Sequence, residues 1–382
     1  MVAGHLQEKK GYFYAVLSFK DYDGRRKTKW IASGLPVKGN KKRAEVFLQE
    51  QRVIYSAPPE SSGNEKFADY LFRWLQIAKT TVALTTYASY SGLVRNPIEP
   101  WFRESGVTLR ELTPAIIQEF YTEQVKRVKP NTVIHYHAVI RRALKYAVRT
   151  DLIAVNPAEK VDVPRKTAYQ AEFYTADDLD RLFAAVRGTV IEVPVRLASF
   201  YGLRRSEVLG LKWDAIDFAA DTISIRHTVT GCNIDGKYTI LASDSTKTKS
   251  SRRTLPLVKP IKDMLLRLRE QQEENKRICG KSWANADGYL CVNSIGERMK
   301  PAYLSAAFSE ALDNAGLRHI RFHDLRHSCA SLLLANGIQL KQIQEWLGHS
   351  DFSTTANIYA HLDSESKIKS AKTMEEALKL GE

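Results

Sequence analysis

Hydrophobic and polar positions fall into three successive patterns along the chain. From Tyr12 to Phe19 the residues are Tyr-Phe-Tyr-Ala-Val-Leu-Ser-Phe, a run that suits a pleated, half-buried strand. Asp23-Gly24 supplies hairpin turn chemistry, and Lys27 to Ile31 reads as the returning strand. A short helix is predicted from about Lys41 to Ile54. The stretch Ala57-Pro58-Pro59-Glu60-Ser61-Ser62-Gly63 has the composition of a linker. Beyond it Phe67, Leu71, Trp74, Leu75 and Ala78 recur at helical spacing. A second helix is predicted to begin at Thr85-Thr86-Tyr87. Thr113-Pro114 starts a third, with proline in the first turn. Asn131 and Thr132 are expected to cap a fourth, which carries Val133, Tyr136, Ile140, Leu144, Tyr146 and Ala147 and ends at Asn156-Pro157.

The third pattern is mixed. Thr175 and Asp178 have capping-box spacing, with Asp in place of Glu, and helices are predicted from there to about Trp213. Strand-like runs follow at Thr222 to His227, Tyr238 to Leu241 and Arg253 to Leu257, and helices resume from Pro260. The predicted fold is mainly α with small antiparallel β pieces. It comprises an N-terminal β-hairpin domain (1–57), a helical domain (64–156) and an α-helical domain with an inserted β-sheet (174–382).

Composition narrows the function. With 57 Lys+Arg against 43 Asp+Glu, the formal charge is +14, which suits a polyanionic partner because each neutralised phosphate releases counterions. Hydrophobic residues make up 44%, yet no run reaches the ~18 apolar residues of a membrane span. Met1 to Lys10 lacks a signal-peptide core, so a cytoplasmic, nucleoid-associated protein without a membrane partner is expected. The four cysteines, Cys232, Cys279, Cys291 and Cys329, have no C-x-x-C spacing and are expected as reduced thiols. Arg25, Arg26, Lys27 and Lys29 make the hairpin basic, and a two-stranded ribbon can enter a major groove. The alternative is a basic hairpin that only solubilises the chain. Arg141, Arg142 and Lys145 lie on or near the polar side of the fourth helix, either as a solvated face or as part of a clamp on the DNA backbone.

Breaking a phosphodiester without a metal needs a nucleophile, an acid for the departing oxygen, and donors for the charge gathering on phosphorus. The third block has candidates for each. In Gly202-Leu203-Arg204-Arg205-Ser206-Glu207, an arginine fork can grip two phosphate oxygens, and Glu207 is spaced to orient Arg204. Taken alone this is an ordinary amphipathic helix. In Arg321-Phe322-His323-Asp324-Leu325-Arg326-His327, His323 and Arg326 are spaced to face one phosphate. His323 and His327 also have the i, i+4 spacing of a zinc helix, but Asp324 replaces the required Glu and Arg326 would set a cation beside the metal, so no metal is expected. Trp346-Leu347-Gly348-His349 leaves His349 in a turn, and Tyr359 follows on a predicted short helix.

These motifs, in this order, resemble the catalytic domain of tyrosine recombinases: G-L-R-x-S-E, a hairpin lysine, H-x-L-R-H, L-G-H and a tyrosine about ten residues on. Leu112 to Tyr121 and Leu152 to Pro157 are similar to the core-binding domain of phage and conjugative-transposon integrases, and the N-terminal hairpin is similar to their arm-binding domain. The resemblance implies that Tyr359 attacks to give a 3′-phosphotyrosine, that Arg204 and Arg326 clamp the non-bridging oxygens, and that His323 and His349 donate hydrogen bonds to them. Lys247 protonates the 5′ oxygen; Lys249 is its rival, and the family's Lys-Thr position favours Lys247. Glu207 supports Arg204. It further implies double-stranded DNA as substrate, a tetramer on DNA, no cofactor, and a directionality factor or DNA-bending host protein as possible partners. The tail from Asp363 to Leu380 resembles one that docks on a neighbouring protomer; a helix packed on its own domain is the alternative. The rival functions are a type IB topoisomerase, a DNA-binding regulator, for which Ser331 to Trp346, turning at Asn336-Gly337, would serve as a helix-turn-helix, and a zinc hydrolase, which would require bound metal.

Overall fold

A computed structural model describes residues 3–20, 26–56, 64–167, 172–244 and 252–348, with three tail positions, 374, 375 and 378. The chain forms two compact units, Met1–Thr167 and Ala168–Glu382.

The first unit opens with three antiparallel strands in the order β1 (Ala3–Lys9), β2 (Tyr12–Lys20), β3 (Arg26–Pro36). The predicted hairpin is β2 with β3. The first strand escaped sequence reading because Leu6 is its only large apolar residue, and pairing of Ala3 with Ser18 through Lys9 with Tyr12 holds it in place. Helix α1 (Lys41–Ser56) covers one face, packing Leu48 on Ala15 and Leu17.

Helices α2 (Phe67–Thr81), α3 (Leu84–Leu93), α4 (Glu99–Ser105), α5 (Pro114–Val125) and α6 (Pro130–Arg149) follow. The five apolar positions predicted for α2 are all buried, and Tyr70 donates from its hydroxyl to Ala143 O in α6 at 2.6 Å. Thr113 caps α5 as predicted, accepting from Ile116 N. Two expectations for α6 fail. Lys129 is its N-cap, with Pro130 in the first turn, while Asn131 pairs with the backbone of Thr167. The helix stops at Arg149, where the Thr150 hydroxyl donates to Tyr146 O at 3.0 Å; Asn156 instead caps a 3-10 turn, Pro157–Lys160. The side-chain caps that sequence alone suggested are thus used, but for other segments.

The second unit starts with α7 (Ala176–Ala185), whose Thr175–Asp178 capping box forms as expected. Helices α8 (Glu192–Tyr201) and α9 (Arg205–Gly210) lead into strands β4 (Ile216–Asp217), β5 (Thr222–Ile225), β6 (Thr228–Ile234), β7 (Lys237–Ser243) and β8 (Arg253–Pro256). Strands β4, β5 and β8 make one antiparallel sheet, and β6–β7 is a separate hairpin. Strand β6 was hidden by Gly231, over which the Tyr238 ring lies so closely that an added Cβ would sit 2.0 Å from its hydroxyl. Helices α10 (Lys259–Cys279), α11 (Pro301–Asn314), α12 (Asp324–Ala335) and α13 (Leu340–Leu347) complete the unit. One core joins α7–α11, the sheet and the start of α12, and includes Leu182, Val195, Ile223, Leu265 and Phe308. Among the described residues no helix is long and apolar enough to cross a membrane.

Candidate active site

The site forms where α8 ends. Gly202 takes φ +62°, a left-handed turn open to glycine, and a Cβ there would lie 2.2 Å from Leu347 Cδ2. That close approach brings the end of α13 onto the turn before α9. Arg204 is the N-cap of α9, and Glu207 sits three residues into it. Glu207 Oε2 accepts from the Arg204 backbone N–H at 3.1 Å, and Oε1 accepts from Arg204 Nη1 at 2.6 Å. The same carboxylate therefore caps the helix and orients the arginine. Arg205 turns the other way, donating to Ser305 Oγ and Pro301 O, so Arg204 is the member of the pair that meets Glu207.

Arg326 enters from α12. It is 1% exposed, and its Nη1 donates to Gly202 O at 2.6 Å and its Nη2 to Leu347 O at 2.8 Å. Arg204 Nη2 reaches Gly348 O at 3.5 Å. A helix leaves its last carbonyls without partners inside the helix, and here two cationic side chains supply donors at the negative end of the α13 dipole. Gly348 closes α13 at φ +69°, as its position before His349 predicted.

A third guanidinium completes the cluster. Arg253, the first residue of β8, donates from Nη2 to Glu207 Oε2 at 3.1 Å. Burial alone would raise the Glu207 pKa, but Arg253 and Arg204, with Arg326 further off, outweigh it and hold the carboxyl below its ordinary range. Burial, with Arg204 nearby, lowers the Arg326 pKa to about 9, so the side chain stays cationic at neutral pH. Among the described residues, one carboxylate thus faces three guanidiniums, a buried excess of positive charge that an anion would relieve. Arg204, with its side chain 33% exposed, is the member that reaches solvent.

The two residues expected to face one phosphate stand differently. His323 is the exposed N-cap residue of α12, whereas Arg326 points inward. The His323 ring still has protein packed around it; that burial, then His327 and Arg326, lower its pKa to about 4, so it is neutral at pH 7. Asp324 is committed to structure: its carboxylate accepts from Arg321 N, Nε and Nη2.

Lys247, its rival Lys249, His349, Tyr359 and Arg25 lie outside the described residues, and the tail is described only at Met374, Glu375 and Leu378. Arg26 and Lys27 are placed by the backbone of β3 alone, and Lys29 is exposed on the same strand. Arg141, Arg142 and Lys145 are all exposed on α6, opposite the buried Ala143, Leu144 and Ala147; Arg141 pairs with Glu159 at 3.4 Å. Arg253 was missed by motif reading. Its signal was strand alternation: with Leu255 and Leu257 buried, Arg253 belongs to the same inward face.

Comparison with known proteins identifies the family and the fold. Residues 172–366, just over half of the chain, match the phage integrase family, and residues 66–125 match the N-terminal SAM-like domain of phage integrases. A tyrosine recombinase XerC-like protein of Caldanaerobacter subterraneus is 28% identical over 321 residues, covering 80% of this chain and 82% of its own. A fragment of the integrase of transposon Tn1549, solved with a circular intermediate DNA, superposes with a TM-score of 0.65 at 19% identity over 82% of this chain and 100% of the fragment. A lambda integrase tetramer bound to a Holliday junction gives 0.58 at 16% identity over 91% of this chain and 95% of its own. The last two establish a shared fold. With a family match across the unit that holds Arg204, Arg253 and Arg326, the chain belongs to the phage integrase family and is a tyrosine-type site-specific recombinase.

Proposed function

We propose that the chain integrates and excises a mobile element by cutting and rejoining double-stranded DNA, with Tyr359 as nucleophile. The phenolic oxygen attacks phosphorus and the bond to the 5′ oxygen breaks, giving a 3′-phosphotyrosine and a free 5′-hydroxyl. The phenol proton passes to a base, for which neutral His323 is suited, and Lys247 supplies a proton to the departing 5′ oxygen. In the second step a 5′-hydroxyl attacks the phosphorus of the phosphotyrosine and the bond to the Tyr359 oxygen breaks; Lys247 takes the proton of the hydroxyl and His323 returns one to the leaving phenolate. The bond energy is kept in the covalent intermediate, so no nucleotide cofactor enters. Arg204, supported by Glu207, and Arg326 offset the charge developing on the non-bridging oxygens, and His349 donates to them. The observation that carries this reading is the cluster of three guanidiniums around the single carboxylate of Glu207.

The domain roles extend the same reading. Residues 1–57 bind arm-type DNA through Arg25, Arg26, Lys27 and Lys29. Residues 64–156 bind core DNA with Arg141, Arg142 and Lys145 on phosphates, and residues 174–382 carry out the chemistry. Four protomers synapse two sites, a reading supported by the lambda integrase neighbour, which is a tetramer bound to a Holliday junction, and a directionality factor or DNA-bending protein joins them. The cytoplasm, at the nucleoid, is where such a protein would work.

The test is a covalent trap. The full chain is incubated with a nicked duplex from the ends of its own element in EDTA, and the product is run on a denaturing gel beside Tyr359→Phe. A shifted band present only in the wild type is expected. No band on DNA that the protein demonstrably binds would overturn the reading in favour of a non-catalytic regulator.

A further inference from the structure

We propose that Arg253 is a positioning residue for strand transfer: from the head of β8 it fixes the Glu207 carboxylate, and through it the orientation of Arg204. The inference rests on the strand-transfer reading above and adds a residue that the motif set does not contain.

The geometry is specific. Glu207 Oε2 is shared between the Arg204 backbone N–H and Arg253 Nη2, both at 3.1 Å, while Oε1 takes Arg204 Nη1 at 2.6 Å. A glutamate side chain has three rotatable bonds. Contacts from Arg204 alone come from one residue, at the frayable start of a short helix, and leave the carboxylate plane able to swing with it. Arg253 comes from another element and holds the same oxygen from a second direction. Its mount is rigid: Arg253 pairs with Ile225 across β5–β8, and Leu255, two residues on, is in the core. The Arg253 side chain is 7% exposed and that of Glu207 2%, so the contact forms out of water, where a charge-assisted hydrogen bond is strongest. Arg204 is the cluster member that meets solvent, so small rotations of Glu207 are passed directly to the group that would meet phosphate.

Among the described residues, the charges facing Glu207 are Arg253 from β8, Arg204 from the start of α9 and Arg326 from α12. Removing Arg253 takes away the largest of the influences that keep the carboxylate ionised, so Glu207 becomes protonatable at higher pH. A protonated Glu207 cannot hold Arg204 with both oxygens. The expected result is slower cleavage that falls further as the solution is acidified, with DNA affinity nearly unchanged.

The experiment uses the covalent trap with the full chain, as a rate against pH, for wild type, Arg253→Met, Arg253→Lys, Glu207→Gln and the double variant Arg253→Met/Glu207→Gln. Arg253→Met should cleave about 10- to 100-fold more slowly, the effect of a misplaced group, and its acid limb should move to higher pH. Arg253→Lys should recover most of the rate. In the Glu207→Gln background Arg253→Met should add under about threefold, because both changes break one interaction. Equal losses in both backgrounds, or Arg253→Met within threefold of wild type with an unmoved pH profile, would overturn the proposal. Should Arg253→Met fail to fold, Arg253→Gln, which keeps a donor but removes the charge, takes its place alone and in the Glu207→Gln background under the same criteria. A wild type that gives no adduct refutes the underlying strand-transfer reading, a result distinct from any of these.

Discussion

Glu207→Gln removes one charge and almost no volume, so its cost can be worked from the contacts. The carboxylate accepts three hydrogen bonds, from Arg204 N, Arg204 Nη1 and Arg253 Nη2. The glutamine amide has a single acceptor oxygen, and its NH₂ must face a guanidinium. With the oxygen at the shared Oε2 position, the Arg204 Nη1 bond is lost and the other two become bonds to a neutral acceptor. Hydrogen bonds to charged groups contribute ~1.5–3 kcal/mol each, and removing one partner of a buried ion pair costs ~3–5 kcal/mol. The Arg204 side chain is 33% exposed and water can screen it, which places the expected loss at the low end. We expect about 3 kcal/mol of destabilisation, read as a shift in the denaturant midpoint of the DNA-free full chain. With the Glu207 charge gone, the cluster should then take up an anion more readily. Sulfate should therefore restore more stability to the variant than to the wild type, beyond the gain both draw from matched ionic strength. A loss under about 1 kcal/mol, the value of an ordinary surface pair, or a sulfate response equal to that of wild type, would refute the view that Glu207 is the counter-charge of the cluster.

Two further predictions concern the same region. Gly202→Ala puts a methyl 2.2 Å from Leu347 Cδ2 in a left-handed backbone; strain of ~1–2 kcal/mol from the backbone and ~1–3 kcal/mol from overpacking should lower stability and cleavage together, and a wild-type melting curve would count against the close approach. Acid should destabilise the DNA-free protein: His323 and His327 have folded pKa values below the usual 6.5, that of His323 about 4, so the unfolded chain takes up protons first. Their contribution is intact above 6.5 and is lost as pH falls toward 4; the carboxyl of Glu207, held low, adds a loss of the same sign at still lower pH. Melting temperatures that stay flat across that window would contradict both assignments.

Much of this was legible in the sequence because each signal had a local cause. Thr175 with Asp178, Thr113 before Pro114, and Gly348 after α13 act through neighbours within a few residues, and they form as read. What failed was set at a distance. Asn131 and Asn156 have the chemistry of helix caps, but Asn131 is taken by Thr167 and Asn156 by the turn it starts. Strand β1 carries almost no apolar signal and is held by its partner's register. In the site, the Arg204–Glu207 contact follows from i, i+3 spacing, whereas Arg253 meets Glu207 across 46 residues and Arg326 meets Gly202 across 124. Spacing sets His323 and Arg326 on one face, and the packing of α12 against α8 and α13 determines which backbone carbonyls the Arg326 guanidinium meets.

The composition of the cluster has a consequence for how the enzyme chooses a locus. Guanidiniums gathered on one carboxylate recognise what every step of a nucleic acid has in common, and nothing in them distinguishes one base pair from another. A catalytic centre built on this cluster, as proposed above, is therefore indifferent to sequence, and the address must be written on other surfaces. An engineer seeking a new insertion locus would leave Arg204, Glu207, Arg253 and Arg326 untouched and rewrite side chains that meet base edges, so that chemistry and address can change independently of each other.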